Sequence, residues 1–373
     1  MVNGITVVFR VDASLAIGSG HVMRCLSLAD GLRAEGAKCH FICRGHAGNL
    51  KEVILGRGYD VHLIVLNEDS AIIDSTVRPP YLDWLGTTQI LDAEECSELL
   101  EDLKPDWVIV DHYALDIVWE VEVKINGRRL MVIDDLADRT HISDILLDQT
   151  FGRGVESYKP LVPSGCVLFC GSEYALLRPD FKKLRPYSLK RRLRYELKNL
   201  LIFLGGVDKD NVTRKVLEAL KNVALPETCS ITIVMGATAP WLLDVQDLAL
   251  SLPWATKVKV NVNDMAQLMS DSDFAIGAAG AASWERCCLG LPTAMVVLAD
   301  NQNFAADLLE KANAVVRLPL DDKFVCELAA ILDKVIKNPN YLKAMSACAK
   351  RLVVGNGCEQ VVKKLLGFSG ING

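Results

Sequence analysis

The sequence predicts an α/β protein of two Rossmann-like, doubly wound domains. Three observations carry that expectation. Strand-like and helix-like segments alternate along the chain, the pattern of a mostly parallel sheet with helices on both faces. A strand, a glycine turn and a helix open the chain near residue 5, and the same unit recurs from Asn199. The 373 residues are enough for two ordinary cores of roughly 150 to 200 residues each.

In the first half, strands are expected at 5–9, 39–43, 60–66, 107–111, 130–134, 145–148 and 167–170, with helices near 21–35, 49–57, 92–103 and 115–123. The run 178–198 is charged, contains proline and lacks a buried-strand signal, so it reads as the connection. The expected division is a first domain at 1–185, a linker at 186–198 and a second domain at 199–373. Further strands are expected at 230–235, 258–260, 274–277, 293–297 and 314–317. Helices are expected at 264–270, 283–288, 303–310, 323–337, 341–353 and 357–366, one of the last packing back across the linker. Two α/β halves joined by a hinge predict a ligand held in the cleft between them.

Composition narrows the function. Half of the residues are apolar and 24% are charged, which is globular rather than disordered. A net charge of −6 argues against a general nucleic-acid binder, and the basic run 189–198 reads as a solvated linker or helix face. No uncharged apolar run of 18 residues and no leader pattern is evident, so a cytoplasmic protein without membrane insertion is expected. The twelve cysteines form no paired CxxC framework, so they read as reduced, small core residues and no zinc site is expected.

The opening stretch FRVDASLAIGSGHVMRC carries the first candidate site. Gly18 and Gly20 make a flexible loop that can approach an anionic group at a helix start, where backbone amides are exposed. The stretch GSGHVM lacks the lysine of a P-loop and the full spacing of a dinucleotide fingerprint. His21 stands where a general base near neutral pH would be useful, and Arg24, expected to bind substrate, lies one turn on along the same helix face. Asp12 follows the strand directly and reads either as a turn cap or as a contact to a sugar hydroxyl.

Asp111 and Tyr113 of the DHY stretch lie past the carboxyl end of a strand, where open α/β sheets collect ligands. Either could position a substrate or a water, while His112 reads as a packing residue. Asp134 and Asp135 are sequence neighbours and make a poor shared-proton pair; one of them could fix His21 or a sugar hydroxyl.

In the second half, the small residues 277–282 leave amides uncovered before a helix, which suits a diphosphate. Gly280, Ala281, Ala282 and Ser283 are the expected contacts there. Glu285 would repel phosphate and is better placed to accept from a ribose diol. Gly205 and Gly206, followed by Asp208, make a second glycine turn after a strand. Asn301 and Gln302 supply amides that can read sugar hydroxyls or N-acyl groups.

With RVDASLAIGSGHVMRC, DHY, IDD, DILLDQT, CGSEYALLRPDF, LGGVD, GAAGAASWE and LADNQ in order, the chain resembles a known family over almost its whole length. That family is the UDP-sugar hydrolases of pseudaminic acid biosynthesis, relatives of the GT-B glycosyltransferases with two facing α/β domains. The resemblance implies hydrolysis of UDP-2,4-diacetamido-2,4,6-trideoxy-β-L-altropyranose to UDP and free sugar, with C1–O cleavage and inversion. It places the general base on His21, substrate-positioning groups on Tyr113 and Asn301, and the nucleotide-binding helix start on 280–285. It implies a UDP-sugar as partner, no obligate protein partner and no required cofactor, with Mg²⁺ left open as a companion of UDP. The fused acetyltransferase that the family sometimes carries is not expected in these 373 residues, and residues 320–373 carry no motif that matches its chemistry.

The chemistry agrees independently. UDP leaves readily without an acid, so one base and one water suffice and a glycosidase carboxylate pair is not needed. Two other readings stand beside it. A glycosyltransferase would use the same site with an acceptor, although residues 69–85 form no strong apolar, basic docking patch. A non-catalytic nucleotide-sugar sensor would have no need of His21.

Overall fold

The computed structural model describes residues 4–66, 81–125, 127–194 and 196–369. The chain forms two compact units, one of residues 1–176 with 356–373 and one of residues 177–355.

The first unit is built on β1 (Thr6–Val11), β2 (Lys38–Arg44), β3 (Asp60–Ile64), β4 (Trp107–Asp111), β5 (Arg129–Ile133), β6 (Ile145–Asp148) and β7 (Val167–Cys170). The sheet runs β3-β2-β1-β4-β5-β6-β7, and every pairing is parallel. Its helices include α1 (Gly20–Ala34), α2 (Lys51–Gly56), α3 (Leu82–Leu85), α4 (Gln89–Leu103) and α5 (Ile117–Val123). Successive strand residues point to opposite faces, and both faces are covered. Val7, Phe9 and Val11 join the α1 residues Leu26, Leu28 and Leu32 on one face. Val8 and Val110 join Leu100 and Trp119 of α4 and α5 on the other. Thr88 and Asp116 cap α4 and α5 by accepting from the amides of Leu91 and Val118.

The second unit opens with α6 (Pro179–Arg191) and continues through β8 (Asn199–Phe203), α7 (Val212–Leu220), β9 (Ser230–Met235), α8 (Leu242–Leu250) and β10 (Ala255–Val260). It goes on with α9 (Met265–Asp271), β11 (Phe274–Ala278), α10 (Ala282–Cys288), β12 (Thr293–Val296), α11 (Asn303–Lys311), β13 (Val316–Arg317), α12 (Phe324–Lys337) and α13 (Pro339–Leu352). Its parallel sheet runs β10-β9-β8-β11-β12-β13. The last helix, α14 (Gly357–Ser369), belongs to the first unit, where Cys358, Val361, Val362 and Leu365 join the core beside α1.

The two α/β sheets are as expected, but the boundaries are not. The segment 186–198 is no simple linker: most of it continues α6 or follows directly from it, inside the second unit. Arg185 donates to the carbonyls of Cys288, Val353 and Lys350, and Arg192 donates to those of Leu289, Ser272 and Met269. These are last-turn carbonyls of α9, α10 and α13, which favour a cation. The second domain also ends before 373, because α14 buries its apolar face on α1.

In each sheet the strand order reverses once, between β1 and β4 and between β8 and β11. Connections there leave in opposite directions and open a crevice at the strands' carboxyl ends. The GSGH loop follows β1, and DHY begins at the end of β4. The Gly205-Gly206 turn follows β8, and the small-residue turn follows β11.

Candidate active site

In the first unit the loop between β1 and α1 is closed on itself. Ser14 Oγ accepts from the amides of Ala16 and Ile17, and Gly18 donates its amide to Ser14 O at 2.8 Å. Gly18 has φ +80°, a conformation open to glycine. Space around Gly20 is open, and α1 starts there.

The loop sets His21 against Asp111, its Nδ1 2.6 Å from Asp111 Oδ1. Asp111 also accepts from Arg24 Nε and Nη2, both at 2.6 Å. Burial alone would raise the Asp111 carboxyl, but Arg24 and then His21 hold it well below the usual carboxylate range. An ionised carboxylate only accepts, so the proton of neutral His21 belongs on Nδ1 and the lone pair on Nε2. Among the described residues no protein group bonds Nε2. Arg24 Nη2 lies 3.3 Å from His21 Nδ1, where two donors share the Asp111 oxygen rather than bond each other. Neutral His21 therefore presents a basic nitrogen whose tautomer is fixed by Asp111.

The structure reassigns several expected contacts. Arg24, expected at the substrate, is buried and bonded to Asp111 and to Asp135, 2.9 Å from its Nη1. Asp12 is also spent inside: its Oδ1 accepts from Arg10 Nη1 and from the Arg44 amide, both at 2.6 Å, and its side chain has no exposed surface. Neither residue of the Asp134–Asp135 pair fixes His21. Asp135 reaches it through Arg24, and Asp134 accepts from the Tyr158 hydroxyl and the Ala137 amide. Tyr113 is 6% exposed, with its ring edge-on to His21 at 4.7 Å and its hydroxyl held by Asp135. It packs against His21, and its hydroxyl is engaged. His112 is a buried packing residue that accepts from the Ala114 amide, and burial pushes it down to about 4.

In the second unit, Gly205 has φ +98°, and the Gly206 carbonyl accepts from the Gly236 amide at 2.9 Å. The first amides of α7 are occupied by Asp208, which accepts from Val212 and Thr213 at 2.9 and 2.8 Å. The open part of this turn is therefore its two glycines. After β11, Gly280, Ala281 and Ala282 are half-buried, with Gln302 Nε2 3.9 Å from where a Gly280 side chain would begin. Gln302 Oε1 accepts from the Leu298 amide, and Asn301 is half-buried in the same short turn. Ser283, expected at the diphosphate, faces inward: it is 2% exposed and lies between Ala278 O and Arg286 Nη2. Glu285 is half-buried and makes no hydrogen bond or ion pair among the described residues. Burial raises its carboxyl, against the pull of Arg178 and Arg286.

Arg286 had no signal in the sequence. It is buried, donates to Ala278 O at 2.6 Å, and leaves Nε and Nη1 without partners, and burial pushes it down to about 10. Its Nη1 lies 2.5 Å from where a Gly277 side chain would begin, which is why β11 carries glycine there. Among the described residues no group of three or more acidic, histidine or cysteine side chains is arranged to hold a metal ion. Among them, too, no helix is long and apolar enough to cross a membrane. The stretch 69–85, weighed as a docking patch, lies mostly outside the described residues.

Residues 199–361 match the glycosyltransferase family 28 C-terminal domain. An N-acetylglucosamine transferase of Methylococcus capsulatus, which its name places on pyrophosphoryl-undecaprenol, is 32% identical over 94% of this chain and 96% of its own length. The chain belongs to the glycosyltransferase-28-like family. A second family relative, the UDP-2,4-diacetamido-2,4,6-trideoxy-beta-L-altropyranose hydrolase of Campylobacter jejuni, is 26% identical over 82% of this chain and 96% of its own length. The Methanocaldococcus jannaschii protein MJ1062 is 27% identical over 78% of this chain, which spans only 55% of that relative. Among solved structures, Acinetobacter baumannii MurG superposes with a TM-score of 0.68 at 15% identity, covering 98% of this chain and 99% of its own. The fold is thus of the GT-B type.

Proposed function

We propose that this family member hydrolyses a UDP-linked 2,4-diacetamido-2,4,6-trideoxy sugar to UDP and the free sugar. The observation that carries the reading is the His21–Asp111 pair, which leaves Nε2 as a base on the loop after β1. In the reaction, Nε2 takes a proton from water as the water oxygen bonds to the anomeric carbon from the face opposite UDP. The bond from C1 to the phosphate oxygen breaks, its electron pair leaves with UDP, and the configuration inverts. Asp111 stabilises the imidazolium so formed. Because UDP departs as a stable anion, no acid is needed on the leaving side.

The name and coverage of the Campylobacter jejuni relative support hydrolysis. The match of 199–361 to the family 28 C-terminal domain supports nucleotide binding in the second unit. There Gly205, Gly206 and the turn 280–282 are the backbone open to a diphosphate, and the unpaired Glu285 carboxylate is the group open to a ribose diol. Asn301 and Gln302 are the amides assigned to the sugar's N-acyl groups. Transfer to an acceptor is the second reading, favoured by the Methylococcus capsulatus relative. In it His21 would deprotonate an acceptor hydroxyl instead of water.

The test is incubation with the UDP-linked trideoxy sugar and no acceptor, following UDP and free sugar. Hydrolysis predicts stoichiometric release of both and a loss of about 10²–10⁴-fold in His21→Ala, with UDP affinity retained. Release that requires an added acceptor would establish transfer instead.

A further inference from the structure

Tyr113 is covered by two further aromatic rings that the reaction above does not use. Trp84 stacks on it with ring centres 5.5 Å apart and planes at 23°, and its ring centre lies 6.3 Å from that of His21. Tyr81 stands edge-on to both, 4.8 Å from Trp84 and 5.1 Å from Tyr113. Tyr113 is almost wholly buried, whereas Trp84 and Tyr81 are half-buried and keep part of their surface in solvent. The backbone makes an effort to hold them there. Tyr81 has φ +64°, a strained conformation for a bulky side chain, and Gly86, just past the single turn α3, has φ +70°. A strained aromatic next to a positioned base is a feature of binding surfaces more than of cores.

We infer that Trp84 and Tyr81 form an apolar wall of the sugar site beside His21, and that this wall selects a sugar with a deoxygenated edge. This rests on the reading of His21 as the base. An aromatic face gains from covering a methyl group, while a hydroxyl pressed on the same face loses water and finds no partner. Among the described residues beside the wall, the Tyr113 hydroxyl, Arg24 and Asp111 are already committed to one another or to Asp135. The wall thus favours a 6-deoxy sugar over its 6-hydroxy counterpart.

The experiment compares UDP release from the UDP-linked 2,4-diacetamido-2,4,6-trideoxy sugar and from its 6-hydroxy counterpart by wild type, Trp84→Ala and Trp84→Phe. UDP affinity is measured by calorimetric titration and folding by thermal melting. Trp84→Ala is expected to lose about tenfold in kcat/KM on the deoxy sugar and most of the preference between the two sugars. Trp84→Phe should keep both, and UDP affinity should not change. A folded Trp84→Ala with the wild-type preference overturns the wall while leaving His21 as the base. If wild type releases no UDP without an acceptor, hydrolysis falls, and the wall is read from binding alone. It then stands if Trp84→Ala loses the wild-type difference in affinity between the two sugar nucleotides, and falls if the difference remains.

Discussion

Asp111→Asn is the sharpest test of how the base is set up, because it keeps the shape of the side chain and removes its charge. In the structure the Asp111 carboxylate lies 2.6 Å from His21 Nδ1 and the Arg24 guanidinium 3.3 Å from it. With unit charges at these atoms and an effective dielectric constant of about 20, an imidazolium gains about 6 kcal/mol from Asp111 and loses about 5 kcal/mol to Arg24. Removing the carboxylate charge leaves Arg24 unopposed, a swing of about 6 kcal/mol that delocalisation of the guanidinium charge reduces. Asp111→Asn is therefore expected to lose about 10²–10⁴-fold in kcat, equivalent to roughly 3–5 kcal/mol, with little change in KM.

The assay is initial-rate release of UDP from the UDP-linked trideoxy sugar, with melting curves to confirm that each variant is folded. The double variant Asp111→Asn, Arg24→Gln separates electrostatics from damage. It removes the unopposed cation and should recover part of the lost kcat, although it breaks more contacts. A folded Asp111→Asn within threefold of wild-type kcat would refute the role given to Asp111. A double variant slower than the single one would refute the electrostatic account of it.

Two more predictions follow from groups away from the base. Glu285→Gln should weaken UDP binding about tenfold or more, as expected when a charged acceptor is lost from a diol, and unchanged affinity in a titration would reduce Glu285 to a helix-end charge. Asp148 is fully buried, and burial and then Asp135 push its carboxyl up to about 6. Its folded form holds a proton that the unfolded chain has released, so it costs stability as pH rises from about 4 through about 6. Asp148→Asn lacks that cost, and its stability in urea relative to wild type should rise by about 1 kcal/mol from pH 5 to pH 7. A pH-independent difference would show that Asp148 ionises normally.

Much of this arrangement was legible in the sequence, and what was not has physical causes. The strands β4, β6 and β9 could be read to the residue because apolar runs end there in charges or turns. His21 stood out in the sequence because it follows a glycine loop at a helix start with Arg24 one turn on. Its partner was not, because Asp111 is 90 positions away. The two meet only because β1 pairs with β4, with Val11 opposite Asp111, and no periodicity encodes that pairing. The helix α6 was hidden for another reason. Its stretch has few apolar residues, and Arg185, with Arg192 just beyond its end, ties it to carbonyls of neighbouring helices.

The expected substrate contacts that the structure finds paired share one cause. A sequence shows that Asp12, Arg24 and Tyr113 stand at the carboxyl ends of strands or on the helix face of the base, where ligands collect, but it does not show what they meet. Buried charges must be paired. Asp12 is matched by Arg10, Arg24 by Asp111 and Asp135, and the Tyr113 hydroxyl by Asp135, so these groups are used up before a ligand arrives. Among the described residues around His21, its Nε2 and part of the surface of Trp84 and Tyr81 stay open. On the proposed reading, His21 Nε2 is a proton acceptor beside an apolar wall. Such a surface suits water attack on a sugar poor in hydroxyls better than recognition by a ring of polar contacts. On that proposal, Asp111, Arg24 and Asp135 serve to hold His21 rather than to meet the sugar.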